Sequence, residues 1–273
     1  MLFFVQIYIA DGIIFPKGRD VVLAFAYHLQ LFKEIFFPRT CSICSRKIQE
    51  GCFCYACRDE YLLQKKLYWG NTAVDWQEKK HWCMELTEKE LLYDARLLYR
   101  YDGKLKKTLH SIKFEDRAEL LPLLREEAGF ALAQDAAELS QWLGSFDIIS
   151  FIPTSRERLL RRGFDVPTEL FAGLGQGQLK RKLQPDLLLR KRSTAPLYKL
   201  SPEERKTELT GCFKINSEVL KKLAVESRRA PAVLLCDDIV TTYGTVLEAA
   251  KTLLEAGAGR VSLLAFTAAK NNW

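Results

Sequence analysis

The sequence predicts an α/β fold, a parallel sheet flanked by helices with a small cysteine-bearing segment in front of it. Three stretches carry that expectation. Ala232-Val233-Leu234-Leu235-Cys236 is a continuous apolar run that meets two adjacent acids, Asp237 and Asp238, and then passes through Thr241-Thr242-Tyr243-Gly244-Thr245. Phe146 to Pro153 is a second apolar run, and it ends in a turn dense with arginine. Cys41, Cys44, Cys54 and Cys57 form two Cys-x-x-Cys pairs separated by nine residues.

The first stretch is a strand, loop, helix unit. A short apolar run reads as a buried parallel strand. After the loop, Leu247, Ala250, Leu253 and Leu254 repeat at helical spacing, and Gly257 supplies the stop. Ligands of such units sit at the carboxyl ends of the strands, where a helix start offers backbone N–H groups and a positive dipole end to an anion. Thr241 to Thr245 suits a phosphate, and Asp237 and Asp238, expected just outside the strand, suit vicinal sugar hydroxyls. A ribose 5-phosphate has that layout. The other reading has Thr241 or Thr242 capping the helix and the two acids solvated at a strand end.

At 273 residues the chain accommodates one large domain, or a medium one with small additions. Its net charge of +7 is uneven, because Arg156 to Arg192 holds ten basic residues against four acids. Such a field favours pyrophosphate or nucleic acid, and an exposed helix face accounts for Arg156 to Arg162 as well. Met1 to Phe15 is apolar but lacks a basic start and is broken by Asp11, which makes a poor signal peptide. No apolar run has the length of a membrane span. Eight cysteines without an export signal point to reduced thiols or metal ligands and to the cytoplasm.

In chain order, residues 1–35 are a leader of unclear status; an amphipathic helix and a start codon assigned too far upstream both account for them. Residues 36–64 are a cysteine knuckle. Each Cys-x-x-Cys pair forms a turn whose thiolates converge on a tetrahedral ion, so Cys41, Cys44, Cys54 and Cys57 are expected to hold structural Zn²⁺, with Cys52 a substitute for Cys54. The competing reading is a set of buried or redox thiols. So small a segment leaves no room for an apolar core, so metal is expected to supply its folding energy.

Residues 65–90 read as a connector, irregular from Lys65 to Trp82, with His81-Trp82-Cys83 packed in a loop. From residue 91 to residue 273 runs the α/β domain. Ala95 to Tyr101 alternates like a strand, Asp102-Gly103 is a turn, Leu105 to Phe114 is an amphipathic helix and Ala118 to Gly129 another. Gly173 to Gly177 follows a helix rather than a strand and reads as a linker. Leu187 to Arg190 is a short strand, and Val261 to Phe266 is the last.

A cysteine knuckle, the Tyr101-Asp102-Gly103 turn with its helix ending in Lys113-Phe114, the strand into Pro153, Arg158, Arg162, Gly163 and Phe164, and the acid pair with its threonine loop resemble, in this order, the ComF family. The resemblance covers about Phe36 to Ala269. It implies a type I phosphoribosyltransferase-like sheet with a phosphoribosyl pyrophosphate (PRPP) site. In that site Asp237 and Asp238 hold the ribose hydroxyls and form the catalytic pair; Thr241, Thr242, Tyr243, Gly244 and Thr245 hold the 5-phosphate; Pro153, Arg158 and Arg162 face pyrophosphate and Mg²⁺; and Thr194 to Arg205 is a mobile loop. It further implies a part in competence and DNA uptake, with single-stranded DNA and a competence helicase as partners.

The chain departs from the family pattern at Tyr243, where a glycine is usual, and at Asp165, Val166, Leu197 and Glu208. Three readings therefore remain: a PRPP-using enzyme, a single-stranded-DNA binder acting through the knuckle and Arg156 to Arg192, and a PRPP sensor.

Overall fold

The computed structural model describes residues 7–10, 13–16, 38–41, 43–49, 53–68, 91–134, 136–175, 177–192 and 200–269. A five-stranded sheet organises them. Its strands are β3 (Leu62–Tyr68), β4 (Asp94–Arg100), β5 (Ile148–Phe151), β8 (Ala232–Val240) and β9 (Arg260–Ala268), in the order β3-β4-β9-β8-β5. β4, β9, β8 and β5 run parallel, and β3 joins β4 antiparallel at one edge.

The parallel strands are buried on both faces, as their near-continuous apolar runs require. Alternation sorts the side chains. Leu234, Cys236, Leu264 and Phe266 pack on one face with α2 (Gly103–Phe114), α3 (Leu121–Ala133), α4 (Ala136–Gly144) and α6 (Val166–Leu170). Val233, Leu235, Leu263 and Ala265 pack on the other with α9 (Gly244–Glu255), α8 (Ser217–Ser227) and the small antiparallel pair β6 (Leu188–Arg190) and β7 (Phe213–Ile215). α5 (Arg156–Arg162) follows β5, and α7 (Pro202–Leu209) precedes β7.

Three regions differ from expectation. The strand expected to stop at Cys236 continues to Val240, carrying Asp237 and Asp238 within it. The reason is its neighbour: β9 stays extended to Ala268, so the ladder proceeds through Asp237 opposite Ala265 and Ile239 opposite Thr267. Within the leader, Ile7–Ala10 and Ile13–Pro16 pair antiparallel as β1 and β2, around an Asp11-Gly12 dipeptide that is a strong hairpin signal. Leu62–Tyr68, expected to close the knuckle and open the irregular connector, is the edge strand β3. Cys52, His81 to Cys83 and Thr194 to Lys199 lie outside the described residues.

The cysteine segment is bolted onto the sheet. It closes with α1 (Tyr55–Tyr61), and Cys41, Ile43, Phe53, Cys57 and Tyr61 are buried in the same apolar cluster as Tyr99, Leu105 and Phe266. Contrary to expectation, the knuckle thus shares a core rather than lacking one.

Candidate functional site

The four cysteines expected to bind metal converge. Their thiol sulfurs lie within 4.8 Å of one another, with Cys44 Sγ and Cys54 Sγ 3.5 Å apart. Ligand bonds of about 2.3 Å in a tetrahedron place thiolates about 3.8 Å apart, so the set fits one metal ion such as zinc. The first pair sits on a tight turn: Ser45 N donates to Cys41 O at 2.8 Å, Cys41 N donates to Arg46 O at 2.8 Å, and Ser45 takes a left-handed φ of 63°. The second pair opens α1, with Cys54 as N-cap. Arg46 Nε donates to Cys44 Sγ at 3.2 Å, and that hydrogen bond brings the Cys44 thiol down to about 6. Burial pushes Cys57 up.

Glu127 of α3, fully buried, ties this segment to the sheet. It accepts from Arg58 Nε at 2.6 Å and from Arg58 Nη2, from Phe53 N at 3.3 Å and from Tyr99 Oη at 3.3 Å. Arg58 also lies over the Phe130 ring at 4.1 Å. At the start of α2, Lys104 N donates to Tyr61 Oη at 3.2 Å. A side chain on Gly103 would place its Cβ 2.3 Å from that oxygen, and Gly103 has a φ of +45°, so glycine alone fits.

The acid pair lies near the carboxyl end of β8, the strand flanked by β5 and β9. Asp237 and Asp238 are 6% and 5% exposed. Asp237 Oδ1 accepts from Asp238 N at 2.9 Å. Burial pushes the Asp237 carboxyl up, the Asp238 charge adds to the shift, and Lys113 opposes it. Asp238 Oδ2 pairs with Lys113 Nζ at 2.6 Å, and Thr267 Oγ1 donates to the Asp238 carbonyl at 2.9 Å. Arg162 Nη2 donates to Lys113 O at 3.1 Å, fixing the end of α2 that presents this lysine. Burial lowers the affinity of Arg162 and of Arg190 for their protons, while the charges of Asp238 and Asp237 respectively act to retain them.

The threonine loop follows at once. Thr241 and Thr242 are exposed, Thr245 is half-buried, and α9 begins at Gly244. The N-cap is Tyr243, with no side-chain oxygen capping the helix, so neither Thr241 nor Thr242 plays that role. Tyr243 takes φ +59°, ψ −16°, the left-handed conformation that glycine adopts freely. Its side chain turns into the α9 side of the core, and burial pushes the phenol up to about 12. At Gly244 an added Cβ would approach Leu209 Cδ1 to 3.1 Å.

Pro153 is half-buried between β5 and α5, and Ser155 Oγ caps α5 by accepting from Arg158 N at 3.4 Å. Asp165 has a structural use for both its oxygens: Oδ1 accepts from Thr154 N at 3.0 Å, and Oδ2 accepts from Thr168 N at 3.2 Å and Thr168 Oγ1 at 2.7 Å. Glu208 likewise has a partner, receiving Arg192 Nη1 at 3.1 Å. The basic run does not form one face. Arg162 Nη2 is held by the Lys113 carbonyl and feels the Asp238 charge, Arg190 lies over the Phe213 ring at 5.5 Å and feels the Asp237 charge, Lys182 Nζ is held by the Gly144 and Phe146 carbonyls at 2.8 and 2.7 Å, and Arg192 is paired.

The structure thus brings the acid pair together with Arg162, and adds three residues absent from the expected site: Lys113, Arg190 and Tyr101, whose phenol is raised first by burial and then by the Asp238 charge. Tyr101 and Lys113 carried a signal through the family resemblance, and Arg190 only as one charge of the basic run. Among the described residues, no helix is long and apolar enough to cross a membrane.

No family model matches the chain. It is 29% identical over 163 residues to the DNA utilization protein YhgH of Escherichia coli strain CFT073, covering 60% of this chain and 66% of that protein. It is 30% identical over 165 residues to YhgH of Salmonella typhi, with the same shares covered. It is 26% identical over 180 residues to the competence protein ComFC of Bacillus subtilis strain 168, covering 64% of each. The chain thus spans just under two thirds of the length of these relatives. By this kinship and its cysteine cluster set before an α/β sheet, the chain is a homologue of the proteins named ComFC and YhgH.

Proposed function

We propose that the end of β8 binds a ribose 5-phosphate ester, with PRPP as the ligand, in a cytoplasmic protein of DNA utilization. The observation that carries the reading is the placement of Asp237 and Asp238 at the carboxyl end of an inner strand, directly before a helix start that no side chain caps. A carboxyl shifted toward its neutral form both donates and accepts, which suits a sugar hydroxyl in either orientation. The helix start and the Thr241 to Thr245 loop suit the 5-phosphate. Arg158, Arg162 and Arg190 suit the pyrophosphate, whose Mg²⁺ would bind with the ligand and neutralise the leaving group. The knuckle cysteines would hold Zn²⁺ as a structural ion.

Lys113 is paired with Asp238, so ligand binding exchanges one partner of this acid for another. Isothermal titration of the metal-loaded protein with PRPP and Mg²⁺ tests the reading. Saturable binding lost in the Asp237→Asn/Asp238→Asn variant is the expected result; no heat up to millimolar ligand overturns it. Pyrophosphate release with an added nucleobase would separate an enzyme from a sensor.

A second reading, single-stranded DNA binding without turnover, is favoured by the names of the relatives, one a DNA utilization protein and one a competence protein. A competence helicase would be the partner in that setting. The acid-pair variant should leave DNA affinity within about twofold, because two buried carboxylates carry no phosphate contact.

A further inference from the structure

We propose that the groove between the cysteine knuckle and α2 is the track for a single-stranded nucleic acid, its cations on the phosphates and the ring pair His110 and Phe114 beneath the bases. This deepens the DNA reading above by placing its site, and the placement differs from the Arg156 to Arg192 run. The groove encloses about 1060 Å³, with Arg39 and Cys41 on the knuckle side and Lys104, Lys107 and Ser111 on the helix side.

Charge is the first argument. α2 carries Lys104, Lys106, Lys107 and Lys113 and no acid. Lysines three apart on a helix, as Lys104 and Lys107 are, repel, so an ordinary surface helix intersperses glutamates. Here Lys113 is spent on Asp238, and Lys106 lies over Tyr101 at 5.8 Å. Among the described residues, Arg39, Lys104 and Lys107 meet no acid. The acid in the groove wall, Glu115, faces His110 at 3.4 Å, and Arg117 at the far end pairs with Glu119. A polyanion would relieve this uncompensated repulsion.

The rings are the second argument. His110 lines the groove and lies against Phe114, ring centroids 4.7 Å apart and planes tilted by 40°, and Phe114 is 54% exposed. An exposed aromatic beside a cationic track is the arrangement that receives unpaired bases, since every base offers a π-face. The spacing of Gly103, Lys107, His110 and Phe114 sets them along one side of α2, so phosphate and base contacts follow one line.

Fluorescence anisotropy with a labelled oligo(dT) of about 20 nucleotides, at several salt concentrations, decides the matter. Lys104→Gln with Lys107→Gln should weaken binding about tenfold or more and reduce the log–log salt slope by about 1.4, at about 0.7 for each phosphate no longer neutralised. Lys221→Gln with Lys222→Gln removes the same charge from the exposed face of α8 and should change affinity less than about twofold. Phe114→Ala should cost between about fivefold and a hundredfold on oligo(dT) and almost nothing on an abasic deoxyribose-phosphate oligomer.

Equal losses from the two lysine pairs would overturn the placement and leave only net charge. Failure of the parent protein to bind oligo(dT) would overturn the DNA reading as well. Retention of oligo(dT) together with loss of binding to phosphatidylserine vesicles would overturn the proposal in favour of an anionic membrane surface. All four lysines and Phe114 are surface side chains, and retained metal content with an unchanged circular dichroism spectrum verifies that the variants fold.

Discussion

Asp237 is a carboxyl in a buried position of an inner strand, and its proton affinity is raised by burial first and by Asp238 second. The sign of the consequence follows from linkage. In the unfolded chain the group loses its proton near the usual aspartate value of about 4, whereas the native state retains it to higher pH. The native state therefore binds more protons above about pH 4, so this residue's contribution to stability falls as pH rises toward its folded value. Asp237→Asn removes that penalty and keeps an oxygen for the Asp238 N–H. We expect a gain of about 1–2 kcal/mol at pH 8 that shrinks toward zero near pH 4, read from urea midpoints across that range. A pH-independent change would contradict the assignment.

The acid pair was legible in sequence because its signal is local. Its partner was not, since Lys113 reaches Asp238 only through the packing of α2 on the sheet. Tyr243 was legible as a conflict, and the structure resolves it by magnitude. A left-handed non-glycine residue costs roughly 1–2 kcal/mol. A buried aromatic ring is worth about 3–5 kcal/mol on truncation, so packing wins.

At the scale of elements, α3 is the fastener between knuckle and sheet. Leu121, Leu124, Ala128 and Ala131 make its buried stripe, and Glu127 stands on the same stripe, three residues after Leu124 and four before Ala131. That was a readable signal: a carboxylate on an apolar face must have partners from elsewhere. What the sequence alone left open was their identity, because Arg58, Phe53 and Tyr99 come from three other segments. Removing one member of such a network leaves the others buried and unpaired. Glu127→Ala should therefore lower stability by about 3–5 kcal/mol, whereas Glu127→Gln, which retains an acceptor for Phe53 N, should lose less. Chemical denaturation of both variants measures this, and equal losses would mean that volume rather than hydrogen bonding holds the joint. The hairpin β1–β2 and the edge strand β3 were legible only in part. Asp11-Gly12 marks the first, while Leu62 to Tyr68 carries lysines that suit an exposed edge and equally suit a linker.

For the whole molecule, the shared core makes metal in the knuckle a matter of global rather than local stability. Cys41, Ile43, Phe53, Cys57 and Tyr61 lie in one cluster with residues of β4, β8, β9 and α2. Zinc in small knuckles contributes about 10–16 kcal/mol of apparent binding energy. If the segment were an appendage, chelation would melt it alone. Because Phe53 lies edge-on to the Tyr99 ring at 5.9 Å and Tyr61 accepts from Lys104 N at the start of α2, its loss exposes Tyr99 and loosens α2 as well. A domain holds only about 5–15 kcal/mol in all, so uncovering several large apolar side chains removes a substantial part of it. Chelation should lower the melting temperature of the entire α/β unit by about 10 °C in a single calorimetric transition, at about 2–4 °C per kcal/mol for a chain of this size. Added zinc should restore it. A main transition that stays in place while a separate low-temperature one appears would show that the knuckle folds apart, and the coupling through Glu127 and Tyr61 would then be a contact without a thermodynamic role.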